Sequence, residues 1–409
     1  MDSDKKWVMN EIEKIACFGK GPRGITRLAF TETAVEAQKY VISLMEQSGL
    51  KVVIDPIGNI IGRLEGKDNS LPAVITGSHL DTVPEGGKYD GVLGVIGGLA
   101  AINRLKERGG LTYPLELIIF ACEESSRFGF ATVGSKGMAG LANLTEWSKA
   151  KDQEGISFID AIAQSQLEFE QIEKAARPAK EVKAFVELHI EQGKVLERER
   201  KTIGIVEAIA APTRIKIRVE GVAAHSGSTP MEERQDALVS ASMIVLAIQE
   251  IGLEQAKYGT VATVGILNVH PGSINVVPGI VEMWVDIRGI NHESIIECLQ
   301  DIKDAISTIA EEQETGVSIM LMSAEKPVKM SREIMNLIKK VCAEKKAAYQ
   351  FIHSRAGHDA MNMSYLAPAG MIFVPSQNGI SHNGEEHTAA DDISLGIDIL
   401  TETLFQLAR

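Results

Sequence analysis

The sequence predicts an α/β chain whose largely parallel sheet is flanked by helices, with a smaller α+β domain inserted into it. Three observations predict this. Apolar runs such as Ala73-Val-Ile-Thr and Leu115-Glu-Leu-Ile-Ile-Phe-Ala alternate with helical patterns, the order of βαβ units covered on both faces. Near residue 212 the period changes: Ile215, Ile217 and Val219 alternate with Lys216 and Arg218, as in a strand with one wet face. The chain's 409 residues exceed what one ordinary core organises.

Helical periodicity predicts helices over 5–17 and 31–49, the second capped by Thr31 and ended by Gly49. Lys51-Val-Val-Ile-Asp and Asn59-Ile-Ile-Gly-Arg-Leu-Glu-Gly read as two strands joined by a Pro/Gly turn. A strand over 73–76 runs into Gly77-Ser-His-Leu-Asp-Thr-Val, and Asp90 opens a small-residue helix. The strand from Leu115 ends in Cys122-Glu123-Glu124, residues 157–176 are polar and helical, and a strand from Ala184 carries His189. From 212 to 325 the pattern reads strand, helix, strand, strand, helix, strand. The two helices carry Ala241, Ile244 and Ile248, and Ile295, Ile302 and Ile306, on one side. This βαββαβ order is a ferredoxin-like antiparallel sheet with helices on one face. The first domain, 1–211, resumes over 326–409 with a helix over 331–346, a strand from Met371 and a last helix over 391–408.

Hydrophobic content of 44% and charged content of 24% are those of an ordinary globular protein. A net charge of −13, without a Lys/Arg block, argues against a nucleic-acid partner, which needs a basic footprint. Cys17, Cys122, Cys298 and Cys342 are scattered and form no CxxC, which fits a reducing, cytoplasmic setting. Met1-Asp-Ser-Asp-Lys-Lys-Trp is too charged for a signal peptide, and no apolar run approaches ~20 residues, so no membrane span is expected.

Candidate ligands collect at one kind of place. His79, Glu124 and His189 end or follow predicted strands, Asp90 opens a helix, and His382 lies shortly after the last strand. In an open α/β sheet the carboxyl ends of the strands are where ligands bind. Three imidazoles and two carboxylates, one of them shared, suit two divalent ions, with Zn²⁺, Mn²⁺ and Co²⁺ all compatible. A capped helix with an incidental His is the bland alternative. Glu123 beside Glu124 is free of that duty and is the candidate general base, against a solvated acidic turn. Asp81, two residues after His79, is placed to accept the other imidazole N–H and set its tautomer, or to act as a turn residue. His225, in Ala224-His-Ser-Gly-Ser-Thr-Pro, is either an oxyanion donor or a surface residue. Arg288 ends an alternating strand, as a carboxylate holder or a surface ion pair.

At this point the motifs carry a resemblance that runs over nearly the whole chain. Gly77-Ser-His-Leu-Asp-Thr-Val, Gly86-Gly-Lys-Tyr-Asp-Gly, Glu123-Glu-Ser-Ser-Arg-Phe, Glu187-Leu-His-Ile-Glu-Gln-Gly, His225-Ser-Gly-Ser-Thr-Pro-Met, Ala356-Gly-His-Asp-Ala and Gly379-Ile-Ser-His-Asn occur in order. Together they resemble the hydantoinase/carbamoylase amidase family, which holds N-carbamoyl-L-amino-acid hydrolases and allantoate amidohydrolases, within the wider aminoacylase-like metallopeptidases. The resemblance implies a two-metal site of His79, Asp90 (bridging), Glu124, His189 and His382, with Glu123 as base. It implies an inserted dimerisation domain, a homodimer, and His225 reaching the partner subunit's site. It implies Asn275 and Arg288 as holders of a substrate carboxylate, with His358 counted among the substrate-side residues. Ser226 departs from the family's His-Ala-Gly. Pro212 stands where allantoate amidohydrolases resemble one another in having a Gln, which puts allantoate in doubt.

The expected reaction is hydrolysis of a linear ureido or amide bond beside a carboxylate, with an N-carbamoyl-L-amino acid giving the L-amino acid, carbon dioxide and ammonia. Allantoate, then N-acyl amino acids or dipeptides, are the rival substrates. A catalytically silent metal-binding dimerisation protein is the rival from another class.

Overall fold

The computed structural model describes residues 2–409; Met1, which begins the charged stretch and the expected first domain, lies outside the described residues. The chain divides into two compact units, 1–207 with 329–409, and 208–328. In chain order the strands are β1 Lys51–Ile54, β2 Ile60–Leu64, β3 Ala73–His79, β4 Leu115–Phe120, β5 Val182–Ile190 and β6 Ile203–Ile209. There follow β7 Ala211–Glu220, β8 Ala224–His225, β9 Thr260–His270, β10 Val276–Val277, β11 Ile280–Gly289 and β12 Gly316–Ala324, then β13 Val328–Lys329, β14 Tyr349–Ser354 and β15 Ala369–Val374. The unit boundaries fall within β6 and β13.

The first unit is built on a sheet of order β1-β2-β4-β3-β5-β15-β6-β13, with β14 beside β6. The central strands β4, β3, β5 and β15 run parallel, whereas β1, β2 and β6 pair antiparallel at the flanks. The sheet is therefore mixed, parallel only where buried helices supply the crossovers. Strands β6 and β14 have no counterpart in the sequence reading. Strand β6 runs almost directly into β7, and β14 is half-exposed and polar, so neither shows a clean period.

Helix Val92–Arg108 is buried along most of its length, because Val95, Leu99 and Ile102 share one core with Ile397, Leu400 and Leu404 of the last helix, Ala390–Ala408. A second cluster, including Phe128, Trp147 and Phe158, packs the segment that follows β4. The outcome of this packing is a fixed rim. In register, His79 of β3 lies opposite Phe120, the last residue of β4, and His189 of β5 lies opposite Phe373 of β15.

The second unit is a four-stranded antiparallel sheet of order β12-β7-β11-β9. Helices Ala237–Gln255 and His292–Glu312 bury Ile244, Ile248, Ile302 and Ile306 against Ile215, Ile217, Val219 and Val285. Asp236 caps the first helix through the N–H groups of Leu238 and Val239, and Asn291 caps the second. By length and composition the stretch Ala237–Tyr258, at mean hydropathy 1.6, passes for a membrane span. Its apolar character comes from two stripes, one in this unit's core and one, Val239, Leu246 and Leu253, that is exposed.

Candidate metal centre

His79 is the last residue of β3, which is buried throughout and therefore holds the imidazole rigidly at the rim. His189 stands one residue before the end of β5. Each ring has its Nδ1 2.9 Å from a main-chain carbonyl, that of Asp81 for His79 and that of Ile190 for His189. Donating from Nδ1 leaves the Nε2 lone pair of each ring as the ligand atom. Both Nε2 atoms face Asp90 Oδ1, at 3.6 Å from His79 and 3.1 Å from His189. The other carboxylate oxygen, Asp90 Oδ2, lies 3.1 Å from His382 Nε2, and that nitrogen lies 3.3 Å from Glu124 Oε1. Two donor triads, His79–Asp90–His189 and Asp90–Glu124–His382, thus meet on one carboxylate.

Asp90 precedes Gly91, whose φ of +66° starts the helix in a conformation L side chains rarely adopt. A Cβ there would stand 2.6 Å from the His79 ring, so glycine is what lets the helix start and the imidazole touch.

Asp81 does a different job from the one expected. Its carboxylate is 3.8 Å from His79 Nδ1, too long for the hydrogen bond that its own main-chain carbonyl makes instead. The carboxylate accepts from the N–H groups of Glu123, at 3.3 Å, and Glu124, at 3.0 Å. It therefore shapes the turn that presents both glutamates. His358 also departs from expectation. It is 2% exposed, its Nε2 lies 2.9 Å from Ser354 Oγ, and its ring centroid is 4.5 Å from that of His189. A ring packed this way backs His189.

The electrostatics of the cluster fit cations. Burial raises the Glu123 carboxyl well above the usual carboxylate range, with Glu124 adding repulsion. Burial works against protonated His79 and His189, yet the surrounding acids together outweigh it and lift both imidazoles: Asp90, Glu123 and Asp81 at His79, and Asp90 and Glu187 at His189. Hydrogen bonds from His382 to Asp90 and Glu124 raise its pKa to about 10. Burial would raise Asp90, but the three imidazoles hold it well below its usual range. So many buried acids draw protons onto the imidazoles, and divalent cations would take the place of those protons. The mixed N/O donors suit borderline metals such as zinc, as well as manganese and cobalt.

Three further side chains sit against these donors without having stood out in the sequence. Gln192 donates to Asp90 Oδ2 at 2.9 Å, and Ser381 Oγ lies 3.3 Å from the same oxygen. Glu386, 3% exposed, accepts from the main-chain N–H of Asp90. Each lies within four residues of His189 or His382, so adjacency to a ligand was the available signal.

In the second unit, β8 and β10 form a short ribbon in which Val276 pairs with His225. The main-chain carbonyl of Asn275 accepts from Ser226 N–H at 3.1 Å, which brings Asn275 and His225 together. His225 Nδ1 accepts from the N–H groups of Gly227 and Ser228, at 3.1 and 3.2 Å, so the ring's proton is on the exposed Nε2. Arg288 donates from Nε to Asp286 Oδ2 at 2.6 Å, and Arg214 donates to the other oxygen of that carboxylate at 2.9 Å. The cross-strand neighbours of Arg288 are Pro212 on β7 and Val261 on β9. Asn275 lies by the Ile280 end of β11 and Arg288 by the other end, a strand length of roughly 26 Å at ~3.3 Å per residue. The unit does not bring Asn275 and Arg288 together.

This fold and this set of donors define a class. The chain belongs to the Peptidase family M20/M25/M40, whose model matches residues 75–406. It is 39% identical over 394 residues to an N-carbamoyl-L-amino acid amidohydrolase of Geobacillus stearothermophilus, covering 96% of this chain and 95% of that one. It is 36% identical over 413 residues to a ureidoglycolate hydrolase of Arabidopsis thaliana, covering 99% and 87%. The crystal structure of a hydantoinase/carbamoylase family amidase from Burkholderia multivorans superposes with a TM-score of 0.88 at 33% identity, covering 99% and 98%. Within the broad family the protein is accordingly an amidohydrolase of the carbamoylase and allantoate amidohydrolase group, an enzyme acting on amide bonds.

The Gly91 geometry has a direct consequence. Gly91→Ala is expected to tilt the His79 ring and lower stability by about 1 kcal/mol or more, because alanine is strained at this φ. Elemental analysis of the purified variant should find less bound divalent metal than in the parent; parental metal content would show that the ring tolerates the methyl group.

Proposed function

We propose that the protein hydrolyses the ureido group of an N-carbamoyl-L-amino acid, with two divalent cations at the Asp90 centre. The observation that carries the reading is the double triad on Asp90 with Glu123 beside it, its Oε2 3.9 Å from His79 Nε2 and joined to neither triad. Cations held there supply Lewis acidity and lower the pKa of water to about 7. Glu123, which stands beside both triads without belonging to either, takes the proton of the attacking water and passes it to the departing nitrogen. His225, with its Nε2–H turned outwards, donates to the oxyanion. Arg288, steadied by Asp286, holds the carboxylate, and Asn275 is its companion from the other end of the sheet. The carbamate released decomposes to carbon dioxide and ammonia.

Two features bear on the substrate. Pro212 opposite Arg288 offers no side-chain hydrogen bond, which favours a ureido acid with a plain carboxylate over allantoate. The likeness to ureidoglycolate hydrolase supports a second reading, in which the ureido acid is that smaller hydroxy acid derivative. Four free cysteines, three of them buried, are in keeping with a cytoplasmic setting.

The separation along β11 supports a homodimer. A small ureido acid cannot span roughly 26 Å, so His225 and Arg288 of one chain cannot both reach it. We assign His225 and Asn275 to the substrate held by the partner subunit. A second copy would also cover Val239, Leu246 and Leu253, which are 49%, 62% and 68% exposed at a spacing of seven.

A panel of N-carbamoyl-L-amino acids, ureidoglycolate, allantoate and N-acyl amino acids, assayed for ammonia and amine on metal-loaded protein, tests the substrate. Turnover is expected to be fastest on a carbamoyl amino acid and to vanish in chelator; activity confined to N-acyl substrates, or surviving chelation, refutes the reading. Glu123→Ala should keep its metal and lose about 10²–10⁴-fold in kcat, whereas undiminished kcat removes Glu123 from the mechanism. His225→Ala and Arg288→Ala proteins should each be poorly active alone. Mixed and allowed to exchange subunits, they should recover about a quarter of wild-type activity, since half the dimers then carry one intact site. No recovery on confirmed exchange would show instead that both residues serve the site of their own chain.

A further inference from the structure

His382 occupies a conformation that few non-glycine residues adopt, with φ of +54°, on a loop whose side chain is 48% exposed. A ligand on such a loop is easily displaced, since left-handed backbone costs ~1–2 kcal/mol that the surroundings must offset. The ligand it must stay aligned with, Asp90, lies almost three hundred residues earlier in the chain. Gln192 reaches both side chains, 2.9 Å from Asp90 Oδ2 and 3.5 Å from His382 Nε2, and one buried carboxylate ties the loop to the main chain at Asp90. Glu386 Oε1 accepts from the main-chain N–H groups of Tyr89, at 2.8 Å, and Asp90, at 3.1 Å. Its Oε2 lies 2.8 Å from the Ser381 hydroxyl, which is also 3.3 Å from Asp90 Oδ2. The turn that carries Glu386 back under His382 is closed by Glu386 N–H on Asn383 O, at 3.0 Å. Room for the carboxylate is made by Gly87, where a Cβ would come within 2.1 Å of Glu386 Cδ and Oε1.

We propose that Glu386 is a positioning residue: it ties the His382 loop to the main chain at Asp90 and so sets the affinity of the Asp90–Glu124–His382 triad for its cation. The proposal rests on the metal-centre reading above. It touches no substrate and no bond that breaks. Its effect on turnover runs through the spacing of two ligands.

The test uses full-length protein stripped of metal and titrated with Mn²⁺ alone, with occupancy read by calorimetry and elemental analysis. The parent should take up two ions per chain. Glu386→Ala should weaken one of them about 10–100-fold, the range for groups that orient metal ligands, and leave the other as in the parent. Melting of the metal-free variant should fall somewhat below that of the metal-free parent, because the N–H groups of Tyr89 and Asp90 lose their acceptor, and kcat at limiting metal should fall while KM holds. Glu386→Gln, which keeps Oε1 as acceptor, should fall between the two. Gly87→Ala displaces the carboxylate without removing it and should reproduce the Glu386→Ala defect, which keeps the test open where Glu386→Ala fails to fold. Parental affinity for both ions in Glu386→Ala, or in both other variants, overturns the proposal. A parent that binds no divalent ion overturns instead the metal-centre reading on which it stands.

Discussion

Everything at the rim of the first unit turns on one buried carboxylate. Asp90 is 4% exposed and faces an imidazole pair with one oxygen and an imidazole–carboxylate pair with the other. A carboxylate removed from water in this way is tolerated only if positive charge is brought to it. Three imidazoles face it, each with its pKa raised, and cations are proposed to supply the charge in the working enzyme. The rest of the unit can be understood as the means of holding that arrangement. Parallel strands end together at the rim, main-chain carbonyls aim two of the rings, and Asp81 shapes the turn with the two glutamates.

The supporting groups around Asp90 differ in rigidity. His79 and His189 are extensions of strands that are paired on both sides, so their positions follow from the ladder itself. His382 has no such support. Its place depends on turn geometry and on side chains from elsewhere, which is why Ser381, Gln192 and Glu386 gather beside it. The same contrast separates the two triads. One is built mainly on strand ends, and the other draws on two turns.

Much of the fold was legible because burial imposes a period. The apolar runs at β3, β4 and β15 and the alternating runs at β7 and β11 announce fully buried and half-buried strands respectively. Strand β6 was hidden by its near continuity with β7, and β14 by its polar, half-wet faces. The membrane question shows the limit of composition: 237–258 is apolar on two sides for reasons of packing and surface, which a count of charges does not separate.

The sequence by itself determined which residues were available for chemistry and that they would stand at strand ends and helix starts, because backbone periodicity and Gly/Pro punctuation are local. It also carried the family likeness, through ordered motifs. Only the tertiary structure decided which atoms meet. That Asp81 works through a main-chain carbonyl and two backbone N–H groups, that His358 is packed behind His189, that Glu386 closes a loop onto Asp90, and that Asn275 and Arg288 lie at opposite ends of one sheet are all consequences of contacts between distant segments. Such contacts are set by the packing of the whole core, and no window of neighbouring residues contains them.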